Sequence, residues 1–589
     1  MPPLNPIKEK PKDTKGTLKR TLSYLGIYKL PIAMILLFCL LSNMLALLGP
    51  SFAGKAIHEA AAGKGMVNFD NVKRYALLML TTYFSSSILT ILISILMTRV
   101  SRQVAKRMRR DVFEKLMRLP VGYFDKNATG DIISRVSYDI DVVSTCIATD
   151  LVSILTSVVT VVGSFLMMLH YSPILALVEV VMIPVATAYT VHMRKITQPI
   201  FRRRSASYGA MNGFVEEMFT GQKTILAYSY ENDVSEQFVN QNREAASAFH
   251  DSEAAACTMG PTVNFFNNVG LGLVGMFGAL LYMLGKIDLG GISSFVLYSR
   301  KFSGPINEVA NIVSEIYSAL SAAERVFRLL DEAEETKDVE NARALEDIEG
   351  KVTLKNVEFG YDPGKTIIHN LSIDVDGGSL VAIVGPTGAG KTTIINLLMR
   401  FYDVNQGSVC VDGTDVRELT RSSLRKAYAM VLQDTWVFQG TIYDNIAYGK
   451  ENATKEEVIQ AAKSAHIHSF IMQLPEGYNT VISEDGGNIS KGQKQLLTIA
   501  RAMLYDAKML ILDEATSNVD TDTERQIQTA MRELMSDKTC FVIAHRLSTI
   551  RNADRILVLN NGDVVESGTH RELMDHQGFY YKLYAAQFE

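Results

Sequence analysis

The run Gly385-Pro386-Thr387-Gly388-Ala389-Gly390-Lys391-Thr392-Thr393 has the spacing G-x-x-x-x-G-K-[ST], directly after a β-branched run at 380–384 and before a stretch of helical period. Glycines at this spacing let successive backbone N–H groups converge on one point, and the helix start behind them adds positive potential, so the loop suits phosphate oxygens. Lys391 can reach the β and γ phosphates of a nucleotide, and the Thr392 hydroxyl can ligand Mg2+. A second run, Met509-Leu510-Ile511-Leu512, ends in Asp513-Glu514. An acid at the C-terminal end of a strand beside a phosphate loop is placed to hold the Mg2+ shell, which is the role expected of Asp513. The carboxylate next to it, Glu514, can polarise an attacking water.

A third segment, Ile489-Ser490-Lys491-Gly492-Gln493-Lys494-Gln495, lies shortly before Asp513. Ser490 and Gln493 satisfy S-x-x-[EQ], a reciprocal cap that opens a helix. The segment also resembles the L-S-G-G-Q signature of ABC ATPases, and with it the whole chain resembles an ABC half-transporter of the exporter type. That resemblance implies ATP as the nucleotide and further roles, residue by residue. Tyr361 in Phe359-Gly360-Tyr361-Asp362 matches the aromatic loop that stacks on adenine. Gln433 in Leu432-Gln433-Asp434 matches the loop that links the Mg2+ and γ-phosphate region to the membrane domain. Asp520 resembles the D-loop aspartate, and His545 the switch histidine at the γ-phosphate. In the family the segment Ser490, Gly492, Gln493 faces the γ-phosphate bound by the opposite subunit, so two subunits are expected to share each site. Lys491 stands where the signature has its first glycine, and a long charged side chain there can obstruct or re-aim the close approach that glycine allows. Lys391, Asp513, Glu514 and His545 all match the competent pattern, and this combination favours a heterodimer over a homodimer.

These residues need two kinds of scaffold. After residue 350 short β-branched runs such as 380–384, 509–512 and 539–543 alternate with helical stretches, the pattern of a soluble α/β domain. Before residue 331 the chain reads differently. Uncharged runs at 31–54, 75–98, 151–178, 180–193 and 254–285 meet or approach the roughly 20 apolar residues a membrane helix needs. His170-Tyr171-Ser172-Pro173 is a turn signal that divides the third region, and a weaker span at 289–312 carries Arg300 and Lys301, giving six spans. The expected fold is therefore a six-helix membrane bundle of the ABC exporter type followed by a soluble α/β phosphate-loop domain. The expected boundaries are an N-terminal segment at 1–30 with an elbow helix, the membrane domain at 31–330, an acidic linker at 331–350 and the ATP-binding domain at 351–589.

Lys and Arg cluster before the first span, after the second and after the fourth, which places the N-terminus and the soluble half in the cytoplasm and the chain, multi-pass, in the cell membrane. The two long inner connections keep helical period and turn back at polar segments, 120–131 and 216–222, which are candidate contact points. Asn43, Asn264, Asn267, Asn268 and Arg300 are polar groups in or near spans, where such groups line a pathway or bond between helices.

The net charge of −4 over 589 residues gives no reason to expect a nucleic-acid partner. It is a cancellation: residues 1–330 hold 33 Lys and Arg against 24 Asp and Glu, whereas residues 331–589 hold 26 against 39. The mean hydropathy of +0.09 likewise averages a membrane half with a soluble half. Five scattered cysteines do not make a disulfide framework or a zinc motif. The expected partners are the lipid bilayer, a second half-transporter subunit and a small hydrophobic or amphipathic substrate, drug-like or lipid-like. An ATP-hydrolysing exporter is the leading reading, with an ATP-gated channel or receptor and an importer of exporter-like fold as the alternatives.

Overall fold

The computed structural model describes residues 13–61, 63, 66–432, 435–483, 487–513, 520–544 and 547–588. The chain forms two compact units, one of Met1–Leu119 with Lys126–Glu334, the other of Pro120–Asp125 with Glu335–Glu589.

The first unit is helical. Among the described residues a short helix, Thr14–Leu25, precedes six long ones: Lys29–Ala60, Phe69–Leu116, Leu151–Tyr171, Pro173–Thr220, Glu231–Met283 and Leu289–Asp331. Among the described residues four stretches are long and apolar enough to cross a membrane, Thr14–Ala60, Phe69–Leu116, Thr129–Tyr171 and Asn264–Met283. They take in the first, second and third long helices, with the short helical segments that precede the first and third, and the end of the fifth. The fourth keeps a shorter apolar stretch, Pro173–Met182, and the sixth carries Arg300 and Lys301. At 1.5 Å per residue a helix of 48 residues runs about 72 Å, more than twice the hydrocarbon thickness, so the long helices continue into water. The break between the third and fourth follows from Ser172 and Pro173: the Ser172 hydroxyl accepts from Leu175 N at 3.4 Å, and Pro173 occupies the helix start, where its missing N–H has no cost.

The bundle is apolar outside and partly polar inside. Leu37 and Phe84 are exposed, whereas Ser42, Asn43 and Ser86 are buried. Ser42 and Ser86 exchange hydroxyl-to-carbonyl bonds of 3.0 Å in both directions, tying the first helix to the second. Asn43 donates to the Cys39 carbonyl at 2.8 Å and accepts from Thr160 at 2.8 Å, so it serves as an interhelical bond. Such bonds and small-residue contacts replace the hydrophobic drive that lipid cancels.

The second unit holds two main sheets. One is a four-stranded antiparallel sheet in the order Ile368–Val375, Val352–Phe359, Gln406–Val411, Thr414–Asp415. The other has six strands in the order Asp563–Gly568, Arg555–Asn560, Leu380–Val384, Thr539–Ile543, Met509–Asp513, Tyr428–Val431, parallel except at its first pair. Thr539–Ile543 lies between the other two strands read from the sequence, with Ile543 opposite both Ile383 and Asp513. This register brings the ends of the strands that precede the phosphate loop and carry Asp513 to the same edge. Helices cover one face, and the four-stranded sheet together with the helix after the phosphate loop covers the other, so the central strands are buried along nearly all their length and read as unbroken apolar runs.

The acidic stretch after residue 330 is anchored. The sixth helix continues to Asp331, and within the second unit Glu335 pairs with Arg425 at 2.5 Å while Asp338 pairs with buried Arg421 at 2.9 Å. Arg400, also buried, bonds Asp403 at 2.8 Å and the carbonyls of Val416 and Leu419. Buried guanidinium groups need such partners, and the acidic segment supplies part of the set.

Candidate nucleotide site

The loop 385–390 joins the strand Leu380–Val384 to the helix Lys391–Leu398. Gly390 occupies the position before that helix with φ +101°, a left-handed conformation, and no side chain caps the helix start. Its first N–H groups are thus left for an outside acceptor. A Cβ on Gly385 would stand 2.3 Å from the Leu559 carbonyl, so the loop lies close against its own sheet. The Lys391 ammonium folds over the loop, donating to the carbonyls of Gly385 at 2.7 Å and Pro386 at 3.1 Å. Burial lowers its pKa below the ordinary lysine range, and the charge of Asp513 acts in the opposite direction. Open helix N–H groups, a lysine held above them and a carboxylate nearby fit a polyphosphate. The Thr392 hydroxyl and the Asp513 carboxylate supply the oxygen donors that a hard divalent cation takes.

Tyr361 is tied to this helix. Its hydroxyl donates to Thr393 Oγ1 at 3.3 Å and accepts from Asn396 Nδ2 at 3.0 Å. Its ring meets Phe359 and Tyr402 edge-on, with centroids 5.0 and 4.9 Å away. Tyr402 in turn donates its hydroxyl to Asp125 at 2.5 Å, and burial together with that carboxylate raises its pKa. A Cβ on Gly122 would lie 3.0 Å from the Tyr402 ring, so the glycine lets the chain pass close to it. Asn396 and Tyr402 are absent from the residues picked out by motif. No local sequence signal marks them, because their partners, Tyr361 and Asp125, lie 35 and 277 residues away along the chain.

The signature segment is built differently. Ser490 caps the helix Lys491–Tyr505: its hydroxyl accepts from Gln493 N at 3.2 Å, and Gln493 Oε1 accepts from Ser490 N at 2.8 Å. Gly492 is buried, while Lys491 is exposed as the first residue of the helix. Its backbone is helical, so no glycine conformation is needed there. Asp520 caps the helix Thr521–Met535 by accepting from Thr523 N at 2.9 Å, and that bond lowers its pKa. The structure thus gathers Tyr361, Thr393 and Lys391 around the phosphate loop, with Asp513 near Lys391, and gives Ser490, Gln493 and Asp520 capping bonds of their own. Gln433, Glu514 and His545 lie outside the described residues.

Comparison with known proteins agrees with this scaffold. Residues 32–306 match the family described as the ABC transporter transmembrane region, and residues 368–517 match the ABC transporter family. The ABC transporter ATP-binding protein YfiC of Bacillus subtilis is 43% identical over 580 residues, covering 98% of this chain and 96% of the relative. A fatty acid ABC transporter ATP-binding/permease protein of Mycobacterium bovis is 41% identical, covering 88% of this chain and 82% of the relative. Among solved structures, a bacterial Atm1-family ABC exporter with ATP bound superimposes with a TM-score of 0.74 at 29% identity, covering 98% of this chain and 99% of that one. The chain belongs to the ABC transporters, as an exporter-type fusion of one transmembrane region and one ATPase domain. It is an ATP-hydrolysing, multi-pass membrane transporter, and proteins of this type act as dimers.

Proposed function

We propose that this chain is one subunit of an exporter that moves lipid-like amphipathic compounds out of the cytoplasm or its adjacent leaflet, at the cost of ATP. The uncapped helix start at Gly390 and Lys391, with the Lys391 ammonium above it, carries the ATPase reading. The substrate class rests on the relative whose name gives fatty acids, together with an apolar bundle that buries hydroxyls and amides.

In this reading the N–H groups of residues 385–393 receive the phosphates of ATP and Tyr361 meets its adenine. Mg2+, when bound, would be held by Thr392, Asp513 and Gln433, and supplies charge neutralisation at the β and γ phosphates. Glu514 holds the attacking water and takes its proton, and His545 faces the γ-phosphate. Ser490, Gly492, Gln493 and Asp520 complete the site of the second subunit. With Lys491 in the signature we infer a heterodimer, in which the partner supplies an unmodified signature to the loop described above. The N-terminus and the ATPase domain, 351–589, face the cytoplasm from the cell membrane.

Reconstitution tests this. In proteoliposomes holding this chain with its partner, Mg-ATP should drive a fluorescent long-chain fatty acid from the leaflet facing the ATPase to the other, and the fatty acid should stimulate hydrolysis. ATP hydrolysis without directed movement of fatty acid or phospholipid probes would overturn the substrate class, and movement toward the ATPase would overturn export.

A further inference from the structure

Pro50 lies inside the first long helix, Lys29–Ala60. Proline has no N–H, so the carbonyl of Ala46, one turn earlier, has no donor within its own helix. In hydrocarbon there is no water to replace that donor. Lys301 of the sixth helix replaces it, with Nζ 2.8 Å from the Ala46 carbonyl oxygen. Two residues at helical spacing on the same face continue the seam: the Tyr298 hydroxyl donates to the Leu47 carbonyl at 2.5 Å, and the Ser294 hydroxyl to the Pro50 carbonyl at 3.1 Å. Three successive bonds from one helix face thus meet the carbonyls around the proline.

The second helix joins at the same point. The Lys301 ammonium lies 5.5 Å from the centroid of the Tyr83 ring, a favourable cation–π placement. Gly49 makes room for that ring, because a Cβ there would stand 2.3 Å from Tyr83 Cζ. Beyond Ser294 the first and sixth helices approach closely at Gly54 and Gly290, where a Cβ on Gly54 would lie 2.4 Å from the Gly290 carbonyl, and the seam ends at the His58–Asp288 pair, 2.8 Å apart. Among the described residues no carboxylate pairs with Lys301. The charge is therefore spent on a backbone dipole and an aromatic ring.

We propose that Lys301 is a positioning residue that supplies the donor Pro50 lacks, so that the Gly49-Pro50 break joins the first, second and sixth helices into one body. The glycine admits the ring, the proline bares the carbonyl, and the lysine binds to both. This role is separate from ATP binding and from any contact with transported substrate, and it gives the positive charge in the weakest span a reason to be there.

A double-variant cycle tests it, because Pro50→Ala restores the missing N–H and should make Lys301 dispensable. In the full-length transporter, assembled as it is found and held in lipid nanodiscs, Lys301→Met should shorten the half-life of ATPase activity on heating by about tenfold. In the Pro50→Ala background the same change should shorten it by less than about twofold, and Lys301→Arg, which keeps a donor, should stay near the parent. Spin labels at Ala61→Cys and Lys286→Cys, in a background with the native cysteines replaced, add a direct readout. The distance distribution should broaden in Lys301→Met and narrow again in the double variant. Equal losses in both backgrounds, or no loss in either, would overturn the proposal. Should Lys301→Met fail to assemble, recovery of assembly by added Pro50→Ala supports it and continued failure overturns it.

Discussion

Two helices of the ATPase domain begin within sight of a phosphate-binding role and end their first turns in opposite ways. At Lys391–Leu398 the position before the helix is a left-handed glycine without a side chain, so the first N–H groups have no partner from the cap. At Lys491–Tyr505 Ser490 and Gln493 satisfy each other's backbone N–H groups. Both starts carry the positive end of a helix dipole, and both place a lysine at the first helical residue. The first start is open to an anion and would bind one by itself. The second is already stable without a ligand, and it offers a caller only its remaining N–H groups and its dipole. The contrast is between an open start and a capped one, and in the proposed function it becomes one between a site that binds and a surface that completes a shared nucleotide site.

The sharpest way to test that division is to remove chemistry and leave binding intact. Glu514→Gln should retain ATP affinity and lower turnover about 100- to 10,000-fold, the usual worth of a general base; steady-state hydrolysis and nucleotide binding on the same preparation check this. Unchanged hydrolysis would take Glu514 out of the role. Lys391→Ala should act on binding itself, weakening ATP affinity by about 2 to 4 kcal/mol, roughly 30- to 1000-fold, as for truncation of one partner of a charged contact. Equilibrium binding of a fluorescent ATP analogue measures it, and an unaltered affinity would mean that the open helix start binds without its lysine.

The capped start should respond more mildly. Ser490→Ala removes one cap bond and should lower stability by about 1 kcal/mol, seen as a small fall in Tm, with ATP affinity at the phosphate loop of the same chain unchanged. A large loss of affinity in that same chain would erase the distinction between the two starts. The smallest effect on folding is expected for Lys491→Gly, a cost of under about 1 kcal/mol at an exposed first helical residue. Its value lies in function: if the lysine side chain obstructs the phosphate face, this variant should raise the ATPase rate of the assembled transporter. A rate that stays flat would show that Lys491 does not decide which site is active.

The parts of the fold that could be read in advance are those whose cause is local. Ser490 and Gln493 are three residues apart, and their reciprocal bonds follow from spacing alone. The strands 380–384 and 539–543 begin and end where the apolar runs do, because strands buried on both faces have no polar alternation to confuse them. The turn at 170–173 follows from a serine cap and a proline. Other features depend on partners far along the chain. Tyr402 gains its importance from Asp125, 277 residues away, and nothing in the run 400–403 announces it. The acidic stretch after residue 330 reads as solvated until Arg421 and Arg425 are brought beside it. The sixth helix reads as the weakest span because of Arg300 and Lys301, yet Lys301 is paid for by a carbonyl that a proline in another helix leaves bare. For Gln433, Glu514 and His545 the motif remains the source of their assignment.

The small piece Pro120–Asp125, which packs with the ATPase domain through Tyr402, has a consequence for the timing of synthesis. It leaves the ribosome more than two hundred residues ahead of Glu335, where the rest of its unit begins. At 5 to 20 residues per second this is an interval of about 10 to 40 s. During that time Asp125 has no tyrosine to meet, while most of the membrane helices are still being made. An ATPase domain expressed alone from residue 335 onward would lack this piece permanently, and its Tyr402 hydroxyl would face solvent where the whole chain gives it a carboxylate. The second unit therefore closes one of its contacts between its earliest-made residues and a tyrosine made 277 residues later, so the membrane helices between them must be laid down before that contact can form.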